Sequence, residues 1–131
     1  MANPSPITTD LKAVRASAVL TTSYVAGTVI DNCEAYNQLM IYFQFTKGSL
    51  TSLEIKVEFS LDGVIYCQEI SESIATGVAT MSAEYHQLTP SGDQNGVLSI
   101  PIKCSKIKIS AKGTGTVTSS LLKIDAIVGV A

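Results

Sequence analysis

The chain predicts an all-β fold: an antiparallel β-sandwich of about eight strands with a jelly-roll-like order. Three observations point to it. Over residues 53–60, Leu53, Ile55, Val57 and Phe59 alternate with Glu54, Lys56, Glu58 and Ser60, the period of two that a half-buried strand requires. Similar runs recur at a spacing of roughly 8–14 residues with Gly, Pro, Asn or Asp between them. The chain also has no Trp, which favours a jelly roll over an immunoglobulin-like core. At 131 residues one domain is expected, with 1–10 as an extended N-terminal arm and 11–131 as a single sandwich.

The arm, MANPSPITTD, carries two of the four prolines and no periodic pattern, so it cannot begin a sheet interior; it is expected to pack on a different chain. Residues 11–20 place Val14, Ala16, Ala18 and Leu20 on one face. A helix is open to them by propensity, but a strand is preferred because β-leaning residues follow, Thr21 to Val25 and Thr28 to Ile30, with Gly27 between. Residues 31–37 read as a polar connector.

The central stretch is LMIYFQFTKGSLTSLEIKVEFSLDGVIYCQ, residues 39–68. Leu39, Ile41, Phe43 and Phe45 alternate with Met40, Tyr42, Gln44 and Thr46, a central strand at least half covered on both faces. Lys47-Gly48-Ser49 supplies a turn, and residues 53–60 return with one face in the core and the other in water. Leu61-Asp62-Gly63 is a hairpin signal before residues 64–68. Three antiparallel strands in succession are expected here.

Residues 71–78, SESIATGV, are small and polar and read as a loop; residues 79–84 carry a weak strand pattern. TPSGDQNG, residues 89–96, is the strongest loop signal in the chain. Residues 97–102, 106–111 and 121–128 complete the strands, with Gly113-Thr114-Gly115 as a hairpin turn. In the last run Leu122, Ile124, Ala126 and Val128 share one face.

Charged residues make up only 15% of the chain, against roughly 25% in ordinary soluble domains. A weakly charged, Ser/Thr-rich exterior repels neighbours little and suits a subunit packed against others. The net charge of −2 offers phosphates no attraction, and Lys103, Lys106 and Lys108 read as the wet side of a strand, so no nucleic acid is expected. No apolar run reaches the roughly 20 residues of a membrane helix, and the N-terminus lacks a signal-peptide pattern, so synthesis in the cytoplasm and no membrane partner are expected. Cys33, Cys67 and Cys104, an odd count with no CxxC, predict buried free thiols, one disulfide plus one thiol being the alternative.

No catalytic, cofactor-binding or metal-binding residue is assigned, and the expected answers to "enzyme" and "cofactor" are no and none. His86, the single histidine, has no orienting partner in any local signature. Glu54 and Glu58 share one strand face with Lys56 between them, whereas a glycosidase pair must converge from facing elements. Asp62, Asp93 and Asn95 lack the alternating acidic series of a calcium loop. Gly113-Thr114-Gly115 lies between strands, where a phosphate loop would open a helix. Tyr24, Tyr36, Tyr42, Tyr66 and Tyr85 are candidate sugar platforms, so carbohydrate remains a possible ligand.

The segments YNQLMIYFQFTKGSLTSLEIKVEFSLDGVIYCQE and IPIKCSKIKISAKGTGTVTSSLLKIDAIVG, residues 36–69 and 100–129, resemble small tailed-bacteriophage virion proteins: capsid decoration and head or tail accessory proteins with a jelly-roll sandwich. Ser60-Leu61-Asp62-Gly63 is also similar to the S-x-D-G turn of discoidin-like sandwiches, but Val64-Ile65-Tyr66 stands where those place a Trp. The resemblance implies a non-enzymatic virion component that binds other virion proteins, capsid or tail subunits, as a symmetric homo-oligomer. The alternative is a carbohydrate-binding or host-attachment module; a hydrolase ranks third.

Overall fold

The computed structural model describes residues 11–130; the 1–10 arm expected from the prolines lies outside the described residues. The strands are β1 Lys12–Ala18, β2 Val25–Ala26, β3 Gln38–Thr46, β4 Leu50–Ser60, β5 Cys67–Gln68, β6 Ile70–Ala75, β7 Val78–Ala83, β8 His86–Leu88, β9 Gln94–Pro101, β10 Lys106–Gly115 and β11 Leu121–Gly129. There is no helix among the described residues. One sheet runs β1-β11-β3-β9; the second runs β2-β10-β4, with β5 and β8 both pairing along β4. Since β5 and β8 together fill one strand position, the sandwich has eight positions, four per sheet, and successive positions cross between sheets, apart from the step from β4 to that shared position, in a jelly-roll-like order. The surplus over eight is that shared position and a separate hairpin, β6–β7.

The core is the meeting of two alternating faces. Leu39, Ile41, Phe45, Leu122, Ile124, Ala126 and Val128 come from the first sheet and Leu53, Ile55, Val57, Phe59, Ile107, Ile109 and Ala111 from the second, all buried. In the β4–β10 ladder, apolar faces apolar, Phe59 opposite Ile107 and Val57 opposite Ile109, while Glu58 faces Lys108 and Glu54 faces Lys112. A one-residue slip would expose the apolar set and bury the charges.

The expected succession of three antiparallel strands over residues 39–68 is corrected. β3 pairs with β11 and β9, β4 with β10, β5 and β8, so Lys47-Gly48-Ser49 carries the chain from one sheet to the other. Both strands have an apolar face, and two such faces bury each other best when opposed across a sandwich. Only the second step, β4 to β5, is a hairpin, with Phe59 opposite Cys67.

The wet side of β4 is drier than its pattern implies. Ser52, Glu54 and Ser60 are buried: Ser52 Oγ meets Thr114 Oγ1 and Ser60 Oγ is taken up by the Asp62-Gly63 loop, while at Glu54 Tyr24 lies across the face with its ring 4.6 Å from Lys56 Nζ and 4.9 Å from Lys112 Nζ. Its hydroxyl donates to Glu54 Oε1 at 3.2 Å; burial, followed by the Glu54 charge, pushes the phenol up to about 12. Along β1 and the two residues after it, Val14 and Leu20 are buried but Ala16 and Ala18 are exposed, since two register shifts of β1 against β11 break the alternation.

Gly113 is a further correction: it sits inside β10 opposite Leu53. A Cβ there would collide with Leu50 Cδ1 and stand 2.9 Å from Val117 Cγ1, so the glycine serves close approach and the reversal falls later, where Ser120 N donates to Val117 O at 3.0 Å. The long loop over residues 89–96 is shorter than expected, as β9 begins at Gln94. Asp93 Oδ1 accepts from Lys47 N at 3.0 Å, tying this loop to the turn between β3 and β4.

Candidate assembly surface

The end of β4 opens into a loop that is locally pinned and outwardly apolar. Asp62 Oδ1 accepts from Val64 N (2.8 Å), Ile65 N (3.0 Å) and Ser60 Oγ (3.1 Å), and Ser60 Oγ accepts from Gly63 N (2.9 Å). The bond from Ile65 N, then that from Val64 N, holds the Asp62 carboxyl below its ordinary value. With the backbone so occupied, Leu61, Val64 and Ile65 project into solvent, 82%, 80% and 66% exposed. Between this loop and the chain before β10 lies a groove of about 520 Å³, lined by Phe59, Leu61, Ile65, Cys67 and Cys104. Lys103 and Glu69 stand at its rim, 3.9 Å apart.

The groove leads into the β6–β7 hairpin, where the sequence expectation of a loop over residues 71–78 is overturned. Thr76 and Gly77 both have positive φ, 50° and 79°, the geometry of a two-residue hairpin turn matched to strand twist. The root is closed by Glu84 N donating to Glu69 O at 2.8 Å and by Gln68 Nε2 donating to Glu84 O at 2.7 Å. Ile70 faces Ala83, Glu72 faces Met81 and Ile74 faces Ala79, while Ser71 faces Ser82 and Ser73 faces Thr80. One side of the arm therefore carries Ile70, Ile74 and Met81 around Glu72, and the other carries the hydroxyls, with Ala75 and Val78 next to the turn. All twelve strand residues are exposed, and among the described residues the two strands pair only with each other. Such a hairpin is marginal in water by itself, and both its edges are open to another chain.

The weak strand pattern over residues 79–84 corresponds to β7, but sequence reasoning passed over β6 and the turn because their residues are small and polar on average. The signal was nevertheless present: Ile70, Glu72 and Ile74 alternate with Ser71 and Ser73 ahead of a Thr-Gly turn.

The other candidates are scattered. His86 lies in β8 opposite Ile55 and lines a cavity of about 230 Å³ with Glu69 and Glu84. Asp62 is committed to its own loop and Asp93 to Lys47, while Asn95 faces Gln44 across the β3–β9 ladder; the three are not brought together. Glu54 is engaged by Tyr24, and Lys112 stands 3.9 Å from it; Lys56 is 3.5 Å from Glu58. Among the tyrosines, Tyr24 and Tyr66 have lysines over their rings, Lys108 standing 4.4 Å from the latter, and Tyr36 packs on the core. The exposed pair does not converge, since Tyr42 is on β3 of one sheet and Tyr85 directly precedes β8 of the other.

The three thiols are free, but their burial differs from expectation: Cys33 is buried, Cys104 half-buried and Cys67 exposed. Burial, with Glu34 adding to it, pushes the Cys33 thiol up to about 11, so it holds little reactive thiolate near neutrality. Iodoacetamide on the native chain is expected to label Cys67 first and Cys33 last. After unfolding without reductant, peptide mass analysis should find all three labelled; a single labelled cysteine would mean a disulfide.

Compared with known proteins, the chain matches no family model and no curated protein.

Proposed function

We propose that the protein is a non-enzymatic structural component of a bacteriophage virion, a capsid decoration or head or tail accessory subunit held to neighbouring virion subunits by surface contact. The observation that carries the reading is the β6–β7 arm, whose Ile70, Ile74 and Met81 are 52%, 73% and 73% exposed on one face. Covering apolar surface contributes roughly 25 cal/mol per Å², and an apolar patch held out from the body of a domain marks a site of association. Leu61, Val64 and Ile65, exposed on the loop after β4, add further uncovered apolar surface. The low fraction of charged residues and the resemblance to small virion proteins support the same reading.

The test is removal of the arm. With residues 70–83 replaced by a short Gly-Ser turn across the Glu69–Glu84 root, the sandwich should melt as before, while co-purification with virion particles falls to background. An Ile74→Ser, Met81→Ser variant, which touches only exposed positions, should show the same loss. Undiminished incorporation of either variant would overturn the proposal. Micromolar binding of a sugar by the wild type, abolished by Tyr42→Ala or Tyr85→Ala, would favour the carbohydrate-binding module instead.

A further inference from the structure

We infer that the chain forms a two-fold dimer by pairing β9 antiparallel with β9 of a second copy, which joins the two β1-β11-β3-β9 sheets into one continuous sheet. The contact is made by the sandwich and not by the arm, so it is independent of the virion reading. Open sheet edges invite further strands, and folded chains guard them by shortness, bulges, charge or cover. The other edges of the sandwich are guarded. β1 carries Lys12 and Arg15 and has two register shifts against β11, and its Val14 O accepts from Thr28 N at 2.9 Å. β2 has two residues, and β5 and β8, which share one edge of the second sheet, have two and three. β9 is guarded in none of these ways. It is the outer strand of its sheet, runs for eight residues without a charge, and pairs with β3 without a register shift.

The hydrogen bonding of β9 fixes which groups point away from its sheet. Ile102 N donates to Asn37 O at 2.9 Å, which makes Gln38 and Pro101, facing each other between them, a pair without mutual hydrogen bonds; in an antiparallel ladder such pairs alternate with bonded ones. Ile100, Leu98, Gly96 and Gln94 therefore bond to β3, while the N–H and C=O groups of Asn95, Val97 and Ser99 point outward. All three residues are exposed, and among the described residues no strand lies beyond them. Pro101 holds the next outward position, where its missing N–H costs the ladder nothing. These outward residues are symmetric about Val97. A two-fold axis there sets Val97 opposite its own copy and Asn95 opposite Ser99 on either side, so every outward N–H of both edges finds a C=O. Because the strand is uncharged, no like charges are set opposite each other. An arm strand of a second copy laid along β9 would leave that copy's own β9 open, whereas the two-fold pairing satisfies both edges and closes on itself.

The experiment is sedimentation equilibrium of the full chain, with amide hydrogen exchange read residue by residue. The wild type should dimerise, and with rising concentration exchange at Asn95, Val97 and Ser99 should slow together by on the order of tenfold. Val97→Lys, a change at an exposed position, sets two like charges at the centre of the contact and should weaken dimerisation by roughly tenfold or more. Val97→Pro removes the central outward N–H where an edge strand tolerates proline and should give a folded monomer; if it unfolds, Val97→Lys decides. Val97→Cys, oxidised with copper–phenanthroline, should link two copies of position 97, since residues facing each other as a bonded pair stand about 5.5 Å apart at Cα, within disulfide reach. The chain with residues 70–83 replaced should dimerise as the wild type does. A monomeric wild type, undiminished association of Val97→Lys, protection that leaves out Asn95, Val97 and Ser99, a cross-link from position 97 to another site, or a dimer lost with the arm would each overturn the inference. Incorporation into particles without the arm would defeat the virion reading and leave this pairing untouched.

Discussion

Phe59→Ala is expected to lower the free energy of unfolding by about 3–5 kcal/mol. Phe59 is 5% exposed and lies in β4 between Ile107 of β10 and Cys67 of β5. Removing its ring withdraws apolar contacts from both neighbours at the end of the core where the groove opens. A domain with about 5–15 kcal/mol of total stability would then populate unfolded chains visibly. Urea unfolding followed by circular dichroism measures the effect, with Leu61→Ala as the control: Leu61 is 82% exposed, so its truncation should stay within about 0.5 kcal/mol. Equal midpoints for the two variants would mean that Phe59 is not part of the core.

Gly48→Val is expected to cost about 3 kcal/mol or more, from two independent sources. Gly48 has φ of 57°, a left-handed conformation that costs a residue with a Cβ about 1–2 kcal/mol, and a β-branched residue more. A Cβ would also stand 2.6 Å from the carbonyl oxygen of Ser119 and 2.7 Å from its carbon, and would strike Ser119 Oγ. These are mostly backbone atoms of the connector ahead of β11, so relief requires moving one end of the sandwich. Gly77→Ala separates the two sources: φ is 79°, yet nothing lies within 4 Å of the added Cβ. Its cost should be conformational only, confined to the arm. Thermal unfolding in which both variants match the wild type would contradict the turn geometry.

The arm shows where local reading fails. Over residues 70–83 the mean composition is that of a loop, and only the cross-strand pairing of Ile70 with Ala83 and Ile74 with Ala79 collects the few apolar side chains on one face. A strand with no sheet to bury it lacks the long apolar run by which strands are recognised. The groove was equally hidden, since Leu61 and Cys104 come from distant parts of the chain and only the fold brings them to one cavity.

What the sequence by itself determined is the face each strand turns inward. Leu53 to Phe59 on β4 and Leu122 to Val128 on β11 alternate as written and are buried as written, because side-chain alternation is a property of the pleat and needs no partner. The Asp62-Gly63 turn was legible for the same reason, its bonds being made within four residues. Tertiary structure alone decided which sheet each strand joined, why the Lys47–Ser49 turn crosses the sandwich, and why Gly113 lies in a strand. It also decided that Glu54 is buried, since the Tyr24 that covers it is thirty residues away. Those outcomes depend on which apolar faces meet and on what covers the polar ones, and both are set by contacts between segments far apart in the chain.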